Sequence, residues 1–388
     1  MARTLVLGDL HLTRTSPAAL ADDLGRLCAG HPGARLVLTG DVFDFAADAP
    51  HAPRERCLEA LLLAQPTVRR ALGEHVSRGG SVTFVGGNHD AALATEPLRH
   101  ALAVALRLDA TAAARLRTSP WFWREGGLHV EHGHMYDPDN ALPHPLAEGA
   151  PSLGLHFSTE FLHPTGAYAY LAATDGTPLA MLRSAFRWYG RRGPYVVYRY
   201  FYAALGALGR SGPFFAEPAR AARSRGAAEL ARFAAGAGAP AAELERLVGL
   251  GARPRLESLA DTFARLYLDR VAALLALAAG AGLAAGARPR AAGLAAGLGL
   301  GALLVSFAAG HDRYGGSVAD RLERAAGQVA ELTGAHLVVF GHSHVASVAA
   351  RYANPGSFAF PRGAPGRPYL ELEGPPEAPH AVLRHVGG

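Results

Sequence analysis

At 388 residues the chain can bury a sizeable core, with material for two or three domains. Lys and Ile are absent while Ala and Gly abound, so every basic side chain is Arg. A net charge of +5 at this length is compatible with anionic substrates or an anionic membrane surface, and is no nucleic-acid footprint by itself. The two cysteines, Cys28 and Cys57, sit in Ala/Leu-rich stretches and read as buried thiols of a reducing compartment rather than as a disulfide or a metal pair. The chain runs at once into Thr4-Leu-Val-Leu7 with no signal-peptide pattern, so its start is expected in the cytoplasm.

Thr4 to Leu7 is a short apolar strand, and Gly8-Asp9-Leu10-His11 follows as a tight turn. An Asp and a His one residue apart are suitable oxygen and nitrogen ligands for a divalent transition metal, although a strand-end turn with a capping Asp looks the same. A helix is expected over Ala18 to Cys28, with Ser16-Pro17 as its N-cap and first-turn signal. A second strand, Leu36 to Thr39, delivers Gly40-Asp41-Val42-Phe43-Asp44. Helical periodicity covers Arg54 to Ser77, Gly79-Gly80 ends it, and Val82 to Val85 is a third strand leading into Gly86-Gly87-Asn88-His89-Asp90. This β-α-β-α-β alternation predicts an α/β fold whose site lies beyond the carboxyl ends of its strands.

Two further strands end in the same way. Leu128 to Val130 runs into Glu131-His132-Gly133-His134, and Leu337 to Phe340 into Gly341-His342-Ser343-His344, with the turn Asn354-Pro355-Gly356-Ser357 beyond. Taken in this order and at these intervals, the five segments resemble the calcineurin-like metallophosphoesterase superfamily.

The resemblance covers about the first 145 residues and the last 65 or so. It implies a four-layer α/β/β/α sandwich and two divalent metal ions, Mn, Fe or Zn with Mn favoured. One metal would be held by Asp9, His11, Asp41 and His344, the other by Asp41, Asn88, His132 and His342, with Asp41 as bridge. A water or hydroxide shared between the metals would then attack phosphorus, making the chain a hydrolase of phosphate ester or pyrophosphate bonds. His89 would donate a proton to the leaving oxygen and Asp90 would orient that imidazole. Asp44 is expected in a supporting role. His134 stays open between supporting a ligand, touching substrate phosphate and packing, and Tyr136-Asp137-Pro138-Asp139-Asn140 reads as a polar loop at the site's edge. His31, His51, His75 and His100 have no partner motif and read as structural or solvated.

The branches differ in detail. Phosphoprotein phosphatases of the superfamily read G-D-x-V-D-R-G and G-N-H-E, unlike the segments at Asp41 and Asn88 here. UDP-2,3-diacylglucosamine hydrolase, a bacterial membrane-associated enzyme, is more similar in its D-L-H-L opening, its G-D-x-F-D and its helical lid. That family nevertheless has Arg where this chain has His89, and H-G-D where it has His132-Gly133-His134. A lipid pyrophosphohydrolase of that type is therefore one alternative, and a nuclease of the same superfamily another; nucleic acid is the weaker expectation.

The domain reading is residues 1–145 and 325–388 for the metallophosphoesterase part, interrupted by a helical insertion over 146–324. Within it, Arg183 to Tyr202 interleaves Arg with aromatic residues, a pattern open to a membrane interface, nucleic-acid stacking or an ordinary amphipathic helix. Val271 to Ala287 and Ala291 to Gly310 carry no charge and are separated by little more than Arg288-Pro289-Arg290. They are expected to cross a membrane as a hairpin, and an even number of crossings lets ligands from both sides of the insertion meet. Gly282, Gly286, Gly293, Gly297 and Gly301 would permit close helix packing. The alternative is a pair of soluble core helices in a soluble cytoplasmic protein. Arg265, Arg270, Arg313 and Arg321 outnumber the loop arginines, which places the catalytic part on the cytoplasmic face of the inner membrane, facing a phosphorylated small-molecule or lipid-linked substrate.

Overall fold

The computed structural model describes residues 3–147, 149–172, 178–308, 317–363 and 365–387. Two mixed β-sheets organise them. The first contains β1 (Thr4–Leu7), β2 (Arg35–Leu38), β3 (Ser81–Val85), β4 (Leu116–Ser119), β10 (Pro368–Glu373) and β11 (His380–His385), in the order β11-β10-β1-β2-β3-β4. The second contains β5 (Phe122–Glu125), β6 (Leu128–Glu131), β7 (Leu337–Phe340), β8 (Ser347–Val348) and β9 (Tyr352–Asn354), in the order β5-β6-β7-β9-β8. β1 to β4 are mutually parallel, as are β6, β7 and β9, while β1 also pairs antiparallel with β10 and β6 with β5.

Strand alternation sends successive side chains to opposite faces, and both faces are used. Val6, Val37 and Val85 of the first sheet share one apolar cluster with Val130 and Val339 of the second, so the sheets stack face to face. Leu5, Leu7, Leu36 and Leu38 point the other way, into a cluster with Leu24, Leu61, Leu72 and Leu102 from helices Ala18–Gly30, Arg54–Ala64, Pro66–Ser77 and Glu96–Ala105. Beyond the second sheet, Val338 and Phe340 pack on Leu230, Leu247 and Leu322 from helices Ala216–Ala237, Ala241–Leu250 and Val318–Thr333. Burial on both sides is why runs such as Leu36-Val37-Leu38 are wholly apolar rather than alternating.

Four expectations change. The periodic stretch from Arg54 to Ser77 is two helices, broken at Gln65 because Pro66 has no N–H to continue the first. Ser16 does not cap its helix; its Oγ accepts the Thr13 N–H at 2.9 Å instead. Residues 216–250 cover the second sheet, so part of the expected insertion belongs to the core, and helix Val318–Thr333 runs through the expected boundary at 324. The apolar hairpin, Leu268–Ala285 and Pro289–Ala308, does pair with itself, but along a different seam. Ala273 and Gly280 on one helix face Ala292, Gly299 and Ser306 on the other, seven residues apart. A Cβ on Gly299 would lie 2.7 Å from the Ala273 carbonyl oxygen, whereas Gly282, Gly293, Gly297 and Gly301 have nothing within 4 Å, and Gly286 meets only its own helix.

Both hairpin helices are long and apolar enough to cross a membrane. Outside the seam their large side chains are bare: Leu294 is 67 % and Val305 71 % exposed. Residues 309–316, including Arg313, lie outside the described residues.

His75 is buried and donates through Nε2 to the Ala34 carbonyl at 2.9 Å. Burial holds the pKa of His75, His129, His144 and His156 below the ordinary value, with Glu131 opposing this at His129 and backbone acceptors at His75 and His156. A histidine whose folded pKa is depressed leaves stability intact above its unfolded pKa of about 6.5 and lowers it as pH falls below that value. The thermal midpoint should therefore drop between pH 7 and pH 5, as followed by differential scanning fluorimetry. In the hairpin, Gly299→Val should destabilise the detergent-solubilised chain by about 1–3 kcal/mol through overpacking, with Gly297→Val within error of the parent in the same denaturation series.

Candidate metal centre

Each motif lies at the carboxyl end of its strand: Asp9 after β1, Asp41 after β2, Asn88 after β3, His132 after β6 and His342 after β7. The loops are laced together by backbone bonds. His11 N donates to Asp41 O at 2.8 Å, Leu12 N to Val42 O at 2.9 Å and Asp44 N to Leu12 O at 2.9 Å. The turn after β9 ties the two ends of the chain: Asn354 Nδ2 donates to Gly341 O at 2.6 Å, Phe358 N to Gly8 O at 2.9 Å and Ser357 Oγ to Asp9 O at 2.9 Å.

Backbone conformation singles out the same residues. Of the eight non-glycine residues with positive φ among those described, five are Asp9, His11, Asp41, His342 and His344. Left-handed backbone at such positions costs about 1–3 kcal/mol each and persists only where the surroundings over-determine it. Gly40, at φ +96°, and Gly87 leave the room this needs: a Cβ on Gly87 would lie 2.1 Å from Asp41 Oδ1, and one on Gly40 2.7 Å from His132 Nδ1.

At the centre, the Asp41 Oδ2 oxygen lies 3.3 Å from His132 Nε2, and 3.9 Å from both His11 Nε2 and His89 Nε2. Around it the donor atoms fall into three overlapping groups, each within 4.8 Å: Asp9, His11 and His344; His11, Asp41 and His89; Asp41, His132 and His342. Each group could hold a metal ion. The Asn88 side-chain oxygen, Oδ1, is 3.1 Å from His132 Nε2. His344 Nε2 and His11 Nε2 are 3.2 Å apart, and His344 Nε2 is 3.3 Å from Asp9 Oδ1. All seven expected ligands are thus brought together.

The rings are aimed by bonds from their far nitrogens, as ligating histidines commonly are. His132 Nδ1–H donates to Thr39 O at 2.8 Å, which turns Nε2 towards Asp41 and Asn88, and His342 Nε2–H donates to Asp137 Oδ2 at 3.0 Å. Asp44 accepts from two rings, His89 Nδ1–H at 2.7 Å and His11 Nδ1–H at 3.3 Å.

Asp90 differs from expectation. It does not meet the His89 ring; its carboxylate accepts four backbone N–H groups, from Asp41 (3.1 Å), Val42 (2.6 Å), Phe43 (3.2 Å) and Gly87 (2.9 Å). A fully buried carboxylate takes the donors nearest to it, and the strained turn at Asp41 supplies them; His89 is left to Asp44.

Asp137 was read only as part of a polar loop. It is a member of the site: it holds His342, accepts Asn140 Nδ2 at 2.8 Å, and lies 3.5 Å from Arg321. Asn140 Oδ1 in turn accepts Asn88 Nδ2 at 3.3 Å. An acid five residues after a candidate ligand was the available signal, too common to single out.

Burial works against ionisation of Asp41, but the charges of His132 and His89 and a hydrogen bond from His132 hold its pKa well below the ordinary carboxylate value. Burial likewise opposes the charge on His89, yet Asp44 and Asp41 raise its pKa to about 10. His134 goes the other way. Burial, then the nearby His132 and His342, hold its pKa well below the ordinary value, and neither ring nitrogen has a partner among the described residues. Its ring lies 5.4 Å from that of His132. The two thiols take no part: burial raises the pKa of Cys28 to about 12 and that of Cys57 to about 11.

No family model, curated protein or solved structure matches the chain. The geometry therefore carries the functional argument.

Asp90→Ala should leave four backbone donors without their acceptor. At about 1–3 kcal/mol for a lost buried acceptor, the urea midpoint of the purified chain should fall steeply.

Proposed function

We propose that the chain is a dinuclear-metal-dependent phosphoesterase of the calcineurin-like metallophosphoesterase type, its stacked sheets and outer helices being the four-layer sandwich of that superfamily. The observation that supports this most is the gathering around one buried carboxylate, Asp41, of six other candidate ligands drawn from segments as far apart as Asp9 and His344. Asp9, His11, Asp41 and His344 would hold one metal, and Asp41, Asn88, His132 and His342 the other. The donor set is nitrogen and oxygen without sulfur, which suits Mn, Fe or Zn, with Mn favoured. When bound, the pair supplies charge neutralisation for a phosphoryl group and a nucleophile competent at neutral pH.

The protein's own groups supply the rest. His89 keeps its Nδ1–H on Asp44, so Nε2 carries the proton it can give to a leaving oxygen. Asp44 stabilises the charged ring and sets its orientation, replacing Asp90 in that part. Asp90 instead fixes the turn that carries Asp41. His134 keeps a free nitrogen pair beside His132, suited to a phosphate oxygen or an ordered water.

The bare apolar face of the hairpin supports a membrane attachment, since helices buried in a soluble core would be covered. In that reading Arg265, Arg270 and Arg321 near the hairpin's base outnumber Arg288 and Arg290 at its tip, placing the site on the cytoplasmic face of the inner membrane. A lipid-linked phosphate or pyrophosphate then becomes the favoured substrate class over a free nucleic acid.

Full-length protein in detergent, loaded with Mn, should hydrolyse bis- or mono-p-nitrophenyl phosphate, and chelator should abolish turnover. His89→Gln should lower kcat by about 10²–10⁴-fold with bound metal unchanged. Metal-loaded protein that turns over neither ester nor any pyrophosphate would sink the proposal.

A further inference from the structure

We propose that the paired helices Pro178–Tyr189 and Gly193–Leu208 lie on an anionic phospholipid surface beside the hairpin, so that the chain meets the bilayer at two places. This rests on the membrane reading of the hairpin.

Helix Gly193–Leu208 has two apolar faces. The inner one, Val196, Ala203, Ala204 and Ala207, is buried. Ala204 and Ala207 pack with Leu266 and Leu268 at the root of the hairpin, and Tyr200 Oη donates to the Leu266 carbonyl at 3.4 Å. The outer face is bare. Tyr195, Tyr198, Tyr202 and Leu205 follow one another at helical spacing on the side away from that packing, Tyr198 being 60 % exposed. The preceding helix adds exposed Phe186 and Trp188.

Charge points to the occupant. Between Asp175 and Glu217 there are six arginines and no acid. Arg192 is bonded to the Thr165 carbonyl and Arg199 to Glu160, whereas Arg183, Arg187 and Arg191 stand exposed. Tyrosine and tryptophan favour the headgroup level of a bilayer, and arginine gains from anionic headgroups there. Stacked bases would also suit arginine among aromatic rings. The lipid is favoured because the helix is fastened to the first residue of the hairpin, so the surface the hairpin enters lies at the level of these rings.

The test uses the full chain reconstituted into phosphatidylcholine vesicles with and without phosphatidylglycerol, containing lipids brominated close to the headgroup. Subtracting the signal of Trp188→Phe isolates Trp188 from the buried Trp121 and half-buried Trp123. Expected is quenching of Trp188 that strengthens several-fold with phosphatidylglycerol and is lost in the triple variant Tyr198→Ser, Tyr202→Ser, Leu205→Ser. Unquenched Trp188 in a protein that resists an alkaline carbonate wash overturns this inference and leaves the hairpin standing. Quenching in a protein that the wash removes supports the surface contact and refutes the hairpin. If a single-stranded oligonucleotide displaces the chain's Trp188 from the lipid in a salt-dependent manner, the surface belongs to nucleic acid and the inference falls.

Discussion

A carboxylate withdrawn from water among imidazole rings is the constraint on which the rest depends. Asp41 is buried, and its charge is sustained there by His132, His89 and His11 around it and by the His89 backbone N–H, which donates to Oδ1 at 3.0 Å. An isolated buried carboxylate would neutralise itself by taking up a proton. Every strand that contributes to the centre must therefore end at a fixed height and angle, which explains the parallel order of β1, β2 and β3 and of β6 and β7. It also explains why left-handed backbone clusters in these loops.

The acids divide the labour. Asp9 and Asp41 face the centre. Asp44 and Asp137 stand behind histidines and fix which nitrogen is free, while Asp90 is spent on the backbone of the Asp41 turn. Removing Asp44 or Asp137 misaims a ring and removing Asp90 releases a loop, so the three kinds of substitution have different consequences for the centre and for folding.

The same loop that holds His342 reaches the hairpin. Asp139, two residues beyond Asp137, pairs with Arg255 at 2.9 Å and with Arg265, which precedes the first hairpin helix by only a short turn. The centre and the hairpin's root thus share one hydrogen-bonded loop. The hairpin itself is held by a seam of small residues whose backbones approach closely, while its bulky side chains face outward. That is the reverse of a soluble helix pair, which buries its leucines.

How much of this was legible beforehand follows from what is local and what is not. The strands β1, β2, β3, β6 and β7, the turns after them and the seven candidate ligands were readable, because an apolar run stopped by glycine and a polar pair is a property of neighbouring residues. The apolar hairpin was readable for the same reason. The partner of His89, the hold of Asp90 on four amides, the part played by Asp137 and the seam through Gly280 and Gly299 were not, because each is a contact between segments whose approach is set by sheet stacking and helix rotation. Helices 216–250 showed a helical pattern in sequence, but whether they cover the second sheet or stand apart depends on a surface assembled from β6 and β7, more than 200 residues apart. Which side chains the strand ends present is a matter of neighbouring residues. How those side chains meet is a matter of the assembled fold, since burial and the competition among nearby donors choose each partner after the chain has closed on itself.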